Sequence, residues 1–554
     1  MIEDLWYKNA VVYCLDVETF MDGNGDGVGD FTGLRRKLDY LAGLGITCLW
    51  LLPFQPTPNR DNGYDISDYY GVDPRLGDLG DFVAFTHEAK LHGIRVIIDL
   101  VVNHTSDQHP WFQAARKDPD SRYRDYYVWS KKRPKDANKG MVFPGVQPST
   151  WTYDKEARLW YFHRFFDFQP DLNVANPEVR EQILKVMGYW LELGVSGFRV
   201  DAVPFLVELK GVKNPDVKNP YKLLEEMREF LSWRKGDAIL LAEANVTMNE
   251  VVEFFGDNDR MQMVFNFLAN QNFYLALTRG DVTPLVQALK SAPKLPHTAQ
   301  WANFLRNHDE LDLGRLSDED RLEVFEALGP DKGMQLYDRG LRRRFASMLD
   351  GDRRRIEVAY SLMFSLPGTP VLWYGDELGM GENLSLVERQ SVRTPMQWSP
   401  EPHGGFTLAE APVKPLVSEG PFGFRQVNVA QQRRDPASQL NWTERIIRAR
   451  KECPELGWGA WKVLRTGNKG VLAIRYEWKG NAMVVLHNLS ARPCTVKLDP
   501  GGEEPCTLFN VLSEDHSEPV DGQRHGLTLE GYGYRWSRVG LENPARKHRT
   551  EPLP

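Results

Sequence analysis

Cysteine is scarce: five in 554 residues. They stand apart at Cys14, Cys48, Cys453, Cys494 and Cys506, an odd number with no CxxC pair, which excludes a disulfide framework or a cysteine metal site and predicts buried free thiols. Long apolar runs are missing too. None reaches the ~20 residues that cross a bilayer, and the first ten residues, MIEDLWYKNA, lack the basic and apolar regions of a secretion signal. The expectation is a cytoplasmic chain with no membrane partner. No basic run tracks a phosphate backbone either, because 68 Lys and Arg face 76 Asp and Glu for a net charge of −8. Nucleic acid is thereby excluded as a partner.

What the chain does have is length and a recurring pattern. At 554 residues it exceeds a single ordinary core, so two or three domains are expected. Short runs rich in β-branched and aliphatic residues recur at 11–17, 46–53, 95–102, 197–203, 238–244, 263–267, 301–307 and 369–375, separated by helical patterns. Runs such as VIIDLVV and ILLAEA are nearly continuous in apolar residues, as parallel strands buried on both faces are. Eight of them alternating with helices predict an α/β fold, a (β/α)8 TIM barrel, with a doubly wound sheet as the alternative on strand count alone.

The stretch between the third and fourth runs is far longer than one helix requires. Residues 104–179, rich in Trp, Tyr, Phe, Arg and Pro, are therefore predicted to form an inserted subdomain over the C-terminal face of the barrel, which itself spans 1–103 and 180–457. The charged stretch 310–355 is a candidate lid, or equally a solvated helical excursion. From 458 to 539 short alternating strands such as GVLAIRYEW and NAMVVLHNL predict a C-terminal β-sandwich. A polar tail, 540–554, follows.

Three acids fall where predicted strands end: Asp201 in GFRVDAV, Glu243 in LLAEAN and Asp309 in FLRNHDE. Each alone is explained by an ion pair, but strand ends of a barrel converge on one rim, and three acids beside apolar runs are costly there unless they serve chemistry. Glycoside cleavage with retention needs one carboxylate as nucleophile and one protonated carboxyl as acid. Arg199, two residues before Asp201 and so on the same strand face, is expected to keep the nucleophile ionised, and an apolar setting is expected to raise the pKa of Glu243. His104 and His308 end VVNH and RNH and can donate to sugar hydroxyls.

Taken together, DLVVNH (99–104), QPDLN (169–173), GFRVDAV (197–203), AEAN (242–245) and FLRNHD (304–309) closely resemble the signatures of the α-amylase superfamily, in that family's order and across the whole barrel. The resemblance implies that Asp201 is the nucleophile, Glu243 the acid/base and Asp309 the residue that holds and distorts the bound sugar. It implies further that Tyr64, Asp65, His104, Arg199, His308 and Arg393 line the pocket for the first glucose. Two structural Ca2+ sites are expected. In DGNGDGVGD the oxygens of Asp22, Asn24, Asp26 and Asp30 recur around glycines, hard donors suited to calcium although not an EF-hand, since the twelfth position is Gly33. The second set, Asn103, Asp171, Glu208 and the carbonyls of Phe205 and Leu206, rests on the resemblance alone. No organic cofactor is expected.

Within the superfamily, WLLPFQPTPNRDNGYDI, VVNHTSDQHPWFQAARKDPDS and SLPGTPVLWYGDELGMGENL are most similar to enzymes that interconvert maltose and trehalose by moving one glucosyl group within a closed pocket. The chain departs from that pattern at Asp16 of VYCLDVETF, at LANQN (268–272) and at ENLSLVERQSVRTP (382–395). The latter two are expected on the acceptor side. A hydrolase or transglucosylase of short α-1,4-glucosides, including maltooligosaccharides, is the alternative. A homo-oligomer is left open.

Overall fold

The computed structural model describes residues 5–209, 219–501 and 506–540. Eight parallel strands close into a barrel: β1 Val12–Leu15, β2 Cys48–Leu51, β3 Arg95–Leu100, β4 Gly197–Val200, β5 Ile239–Ala242, β6 Met263–Phe265, β7 Gln300–Phe304 and β8 Thr369–Trp373. The closing pair is β1 with β8, Val12 opposite Val371. All eight correspond to runs read from the sequence. Several runs extend past the strands because their last residues turn outward into the rim loops, as Asp16 does in capping the helix Val17–Phe20.

Helices on the outside are set by local signals. The helix Leu79–Leu91 begins with a reciprocal cap between Asp78 and Asp81, and Pro177–Glu192 begins with the Asn176 side chain and a proline in its first turn. The insert carries a small antiparallel sheet, Trp129–Ser130, Leu159–Phe162 and Trp151–Asp154, over its own cluster of Val128, Ala137, Trp151 and Phe162. The 310–355 excursion is ordered: the helix Asp318–Leu328 starts on a Ser317 cap, and three short strands pair beside it.

The C-terminal unit begins with Ala460–Val463. A six-stranded sheet and a three-stranded sheet face each other across Val471, Val484, Leu486, Val496, Leu498, Leu527 and Leu529. It is seated on the barrel helix Arg353–Ser365, where Trp536 Nε1 donates to Ser361 Oγ at 3.1 Å. The expected tail lies, but for Gly540, outside the described residues. All five cysteines are free thiols, and among the described residues no helix is long and apolar enough to cross a membrane.

Candidate active site

The site grows from the register of β3 and β4, in which Asp99 stands opposite Arg199. Both point into the barrel, where a lone guanidinium would be costly, and the geometry answers with three carboxylates. Arg199 Nη1 bonds Asp99 and, at 2.6 Å, Asp201; its Nη2 reaches Glu243 Oε2 at 2.7 Å. Asp99 also accepts from Trp50 Nε1 at 2.9 Å and from the Tyr64 hydroxyl at 3.3 Å. The two nitrogens of one fork thus set Asp201 and Glu243 side by side, in keeping with double displacement, for which carboxyls stand about 5–5.5 Å apart. Ala202, just after Asp201, sits at φ 50 and donates its N–H to Glu243 Oε2 at 3.1 Å. A non-glycine residue in this left-handed region marks strain held at a functional position.

Three carboxylates around one cation leave negative charge in excess. Burial pushes the Asp201 carboxyl up to about 6 and Glu243 up to about 7, with Arg199 opposing in each case. Asp99, also buried, rises to about 6. Arg199 therefore does not hold Asp201 at an ordinary carboxylate value, as the sequence suggested; desolvation outweighs it. The ordering still separates the roles, since Asp201 ionises before Glu243, and the group titrates as a unit. Asp309 goes the other way. Burial would raise it, but the guanidiniums of Arg389 and Arg393 hold it far below the usual carboxylate range. Both arginines reach Asp309 Oδ1 at 2.9 Å.

These groups open onto a cavity of about 520 Å³ whose lining includes Asp61, Tyr64, His104, Asp201, Glu243, Asp309 and Arg389. Of the expected residues, Arg199, His308 and Arg393 stand just behind the wall. Tyr64 meets His308 Nε2 at 2.7 Å, and His308 is held neutral by burial. His104 lines the cavity, but its Nε2–H donates to the Tyr64 carbonyl at 3.1 Å, and burial lowers its pKa to about 4. Asp65 is a correction. It is fully buried and turned into its own loop, accepting from Thr57 Oγ1 at 2.9 Å and from the N–H groups of Arg60 and Asp61. Asp61 takes the cavity position instead, paired with Arg389 at 2.8 Å.

The 268–272 segment does not itself line the cavity. It lies in the helix Phe267–Arg279, whose Phe267 reaches the cavity; Asn270 is buried against the carbonyls of Phe304 and Leu305, while the Gln271 amide stands behind the wall, donating to Asn245 Oδ1 at 3.3 Å and accepting from the Arg315 N–H at 2.9 Å. The excursion, in contrast, does form cavity wall through Glu310, Asp312 and Arg315, opposite Gly140, Met141 and Phe143 of the insert. Asp16 stays outside, bonded to Glu18 N–H and Asn62.

The two expected calcium sets differ in how they fit an ion. In the 22–30 loop the carboxylates are turned onto the loop's own amides: Asp22 accepts from Asn24, Gly25 and Gly27, Asp26 from Val28, and Asp30 from Gly23, Asn24 and Gly33. Among the described residues, no three His, Cys, Asp or Glu side chains gather as a metal group. The second set fits better. Asn103, Asp171, Phe205 and Leu206 line a void of about 20 Å³, the size of one ion or water, and burial pushes the Asp171 carboxyl up to about 7, although the buried Arg164 lines the same void and opposes a cation there. Glu208, however, is bonded to Arg164.

A closed (β/α)8 barrel with paired carboxylates on its C-terminal rim defines a glycoside-processing enzyme. Comparison with known proteins agrees. The family model described as alpha amylase, catalytic domain, matches residues 16–327 and 338–459, and one described as sucrose hydrolase-like, C-terminal domain, matches 480–538. A trehalose synthase of Thermus thermophilus is 44% identical over 537 residues, 96% of this chain and 55% of that relative, so the chain spans about half of that protein's length. A trehalose synthase of Pimelobacter sp. (strain R48) is 40% identical over 553 residues, covering 97% of this chain and 96% of the relative. The crystal structure of an alpha-amylase from H.orenii aligns with a TM-score of 0.78 at 28% identity, covering 96% of this chain and 99% of that one. The chain belongs to the alpha-amylase family.

Proposed function

We propose that this enzyme interconverts maltose and trehalose by intramolecular glucosyl transfer. The observation that carries the reading is the fork of Arg199 between Asp201 and Glu243 at the base of a cavity walled on its far side by both insert and excursion; the two relatives named trehalose synthase support it. Asp201 attacks the anomeric carbon of the non-reducing glucose while Glu243 protonates the glycosidic oxygen, giving a glucosyl ester and free glucose. The freed glucose turns in place. Its anomeric hydroxyl then attacks the anomeric carbon of the glucosyl ester, Glu243 takes the proton, and the bond to Asp201 breaks to release the carboxylate. Asp309, kept ionised by Arg389 and Arg393, holds hydroxyls of the donor ring together with Tyr64, which His308 and His104 position.

Pure enzyme incubated with maltose should yield trehalose as the main product, with glucose a minor leak, resolved by chromatography. Glucose as main product, with ready cleavage of maltotriose, would leave an α-glucosidase instead. A structural Ca2+ is part of the same reading, held by Asn103, Asp171 and the Phe205 and Leu206 carbonyls, where it would tie the insert to the barrel without touching substrate. The 22–30 loop is the weaker candidate. The expected setting is the cytoplasm, where small α-glucosides are the only partners the chemistry requires.

A further inference from the structure

The reaction gives Asp16 no task, yet several buried charges gather around it. Asp16 and Glu18 are both buried, two residues apart where β1 leaves the barrel. Carboxylates so close in a dry setting repel unless cations answer them. Two do: Arg75 reaches Glu18 at 2.6 Å, and Lys414, arriving from the long segment after β8, reaches Glu18 at 2.8 Å and Asp16 at 4.0 Å. Burial would raise Glu18, but Lys414 and Arg75 hold it at about 2; Asp16, less completely answered, is raised by burial. The segment that brings Lys414 is docked on the 22–30 loop. Val413 N–H donates to the Gly27 carbonyl at 2.7 Å, and Gly27 has no room for a Cβ against the Ala411 carbonyl.

What this knot of charges holds is the short loop that carries Asp61. Asn59 at φ 59 and Asn62 at φ 51 both sit in the left-handed region, where a non-glycine residue persists when its surroundings compel it. Asp61 stands between them, and each asparagine is tied to the knot. Asn59 Nδ2 donates to Glu18 Oε1 at 3.1 Å. Asn62 is gripped at both ends of its amide: Nδ2 donates to Asp16 Oδ2 at 3.1 Å, and Oδ1 accepts from Lys414 Nζ at 2.7 Å. Asp61 itself faces the cavity, accepting from Gln169 Nε2 at 3.0 Å and pairing with Arg389, whose guanidinium also holds Asp309. A path of ionic and amide contacts thus runs from Lys414 through Asn62 and Asp61 to Arg389 and Asp309, while Lys414 stands outside the cavity lining.

We propose that Lys414 is a positioning residue for the donor sugar, joining Asp16 and Glu18 to Asn62 so that Asp61 is held where it fixes Arg389 and, through it, Asp309. Asp16 gains its role here. A carboxylate alone orients one end of an amide; with the ammonium on the other end the amide can sit only one way round. The inference rests on the donor site and not on the isomerase outcome, since any glucosyl transfer from this pocket uses the same clamp.

The test is a double-mutant cycle read with an aryl α-glucoside, whose aglycone is released whether the glucosyl group passes to a sugar or to water. Lys414→Met removes the ammonium and keeps an unbranched apolar stem. It should lower kcat/KM about tenfold, the scale of one lost hydrogen bond to a charged group. In the Asp61→Asn background the same change should cost less than about twofold, because the contact it works through is already gone. Asn62→Gly keeps the left-handed backbone at no steric cost and removes the amide, so it should repeat both results if Lys414→Met folds poorly; melting temperatures report folding for every variant. Losses that multiply in the double variants, or folded single variants with the kcat/KM of wild type, would overturn the role of Lys414. Wild type that makes glucose and no trehalose from maltose would take down the isomerase reading, while the cycle on the aryl glucoside still decides this proposal.

Discussion

The two halves of the cavity are built differently. The donor half is made of strand ends: Asp99, Arg199, Asp201 and Glu243 lie on three adjacent strands whose register fixes them, and each charge is answered by another within one hydrogen bond. The acceptor half is made of loops, Gly140–Phe143 against the excursion, joined by Arg339 and one aromatic contact. A barrel rim supplies chemistry through the scaffold, whereas the loops above it supply selectivity through contacts that the scaffold does not dictate. Changes in the first half should therefore abolish turnover, and changes in the second should redistribute its products.

The largest effect belongs to Asp201→Asn. Release of any product from maltose should fall on the order of 10⁴-fold or more, and a loss of only tenfold would break the assignment of the nucleophile. Next is Glu243→Gln, expected to lose 10²–10⁴-fold on maltose but far less on an aryl α-glucoside whose leaving group needs no proton; equal losses on both would contradict the acid role. Asp61→Asn should lower kcat/KM for maltose by roughly tenfold to a hundredfold by freeing Arg389. Asp65→Asn should show mainly as a lower melting temperature, because its carboxylate organises its own loop. The reverse pattern would restore Asp65 to the pocket.

The pH profile sharpens the donor half further. With Asp201 near 6 and Glu243 near 7, kcat/KM should fall below about pH 6 as the nucleophile is protonated and above about pH 7 as the acid is lost. A flat profile between pH 5 and 9 would mean that burial does not set these groups. The smallest effect on rate is expected from chelation: the melting temperature should drop by a few degrees, while turnover at 25 °C is retained. Asp171→Asn should abolish that drop if the ion sits beside Asn103.

Much of the donor half was legible in the sequence, because an acid at the end of an apolar strand is a signal that needs no neighbours. Asp99 carried the same signal in VIIDLVV and was read only as part of a signature. What the sequence could not convey was side-chain direction in irregular backbone. Asp61 and Asp65 lie in one short loop of similar composition, and only the folded turn decides that the first faces the cavity and the second faces its own amides. LANQN was expected on the acceptor side, and helix Phe267–Arg279 places its Gln271 behind the wall, bonded to Asn245 and Arg315, rather than in the lining. Arg389 and Arg339 were missed because their partners, Asp61 and Val142, are brought close by closure of the barrel and docking of the insert rather than by any local pattern.

The central claim is that Asp201 forms the bond to the sugar and Glu243 moves the proton. It is tested most directly by trapping the intermediate with 5-fluoro-α-glucosyl fluoride, whose fluorine slows release of the ester, and locating the adduct by peptide mass spectrometry. The account predicts one glucosyl adduct per chain, on Asp201. An adduct on Glu243 or Asp309, or turnover with inversion and no adduct, would contradict it.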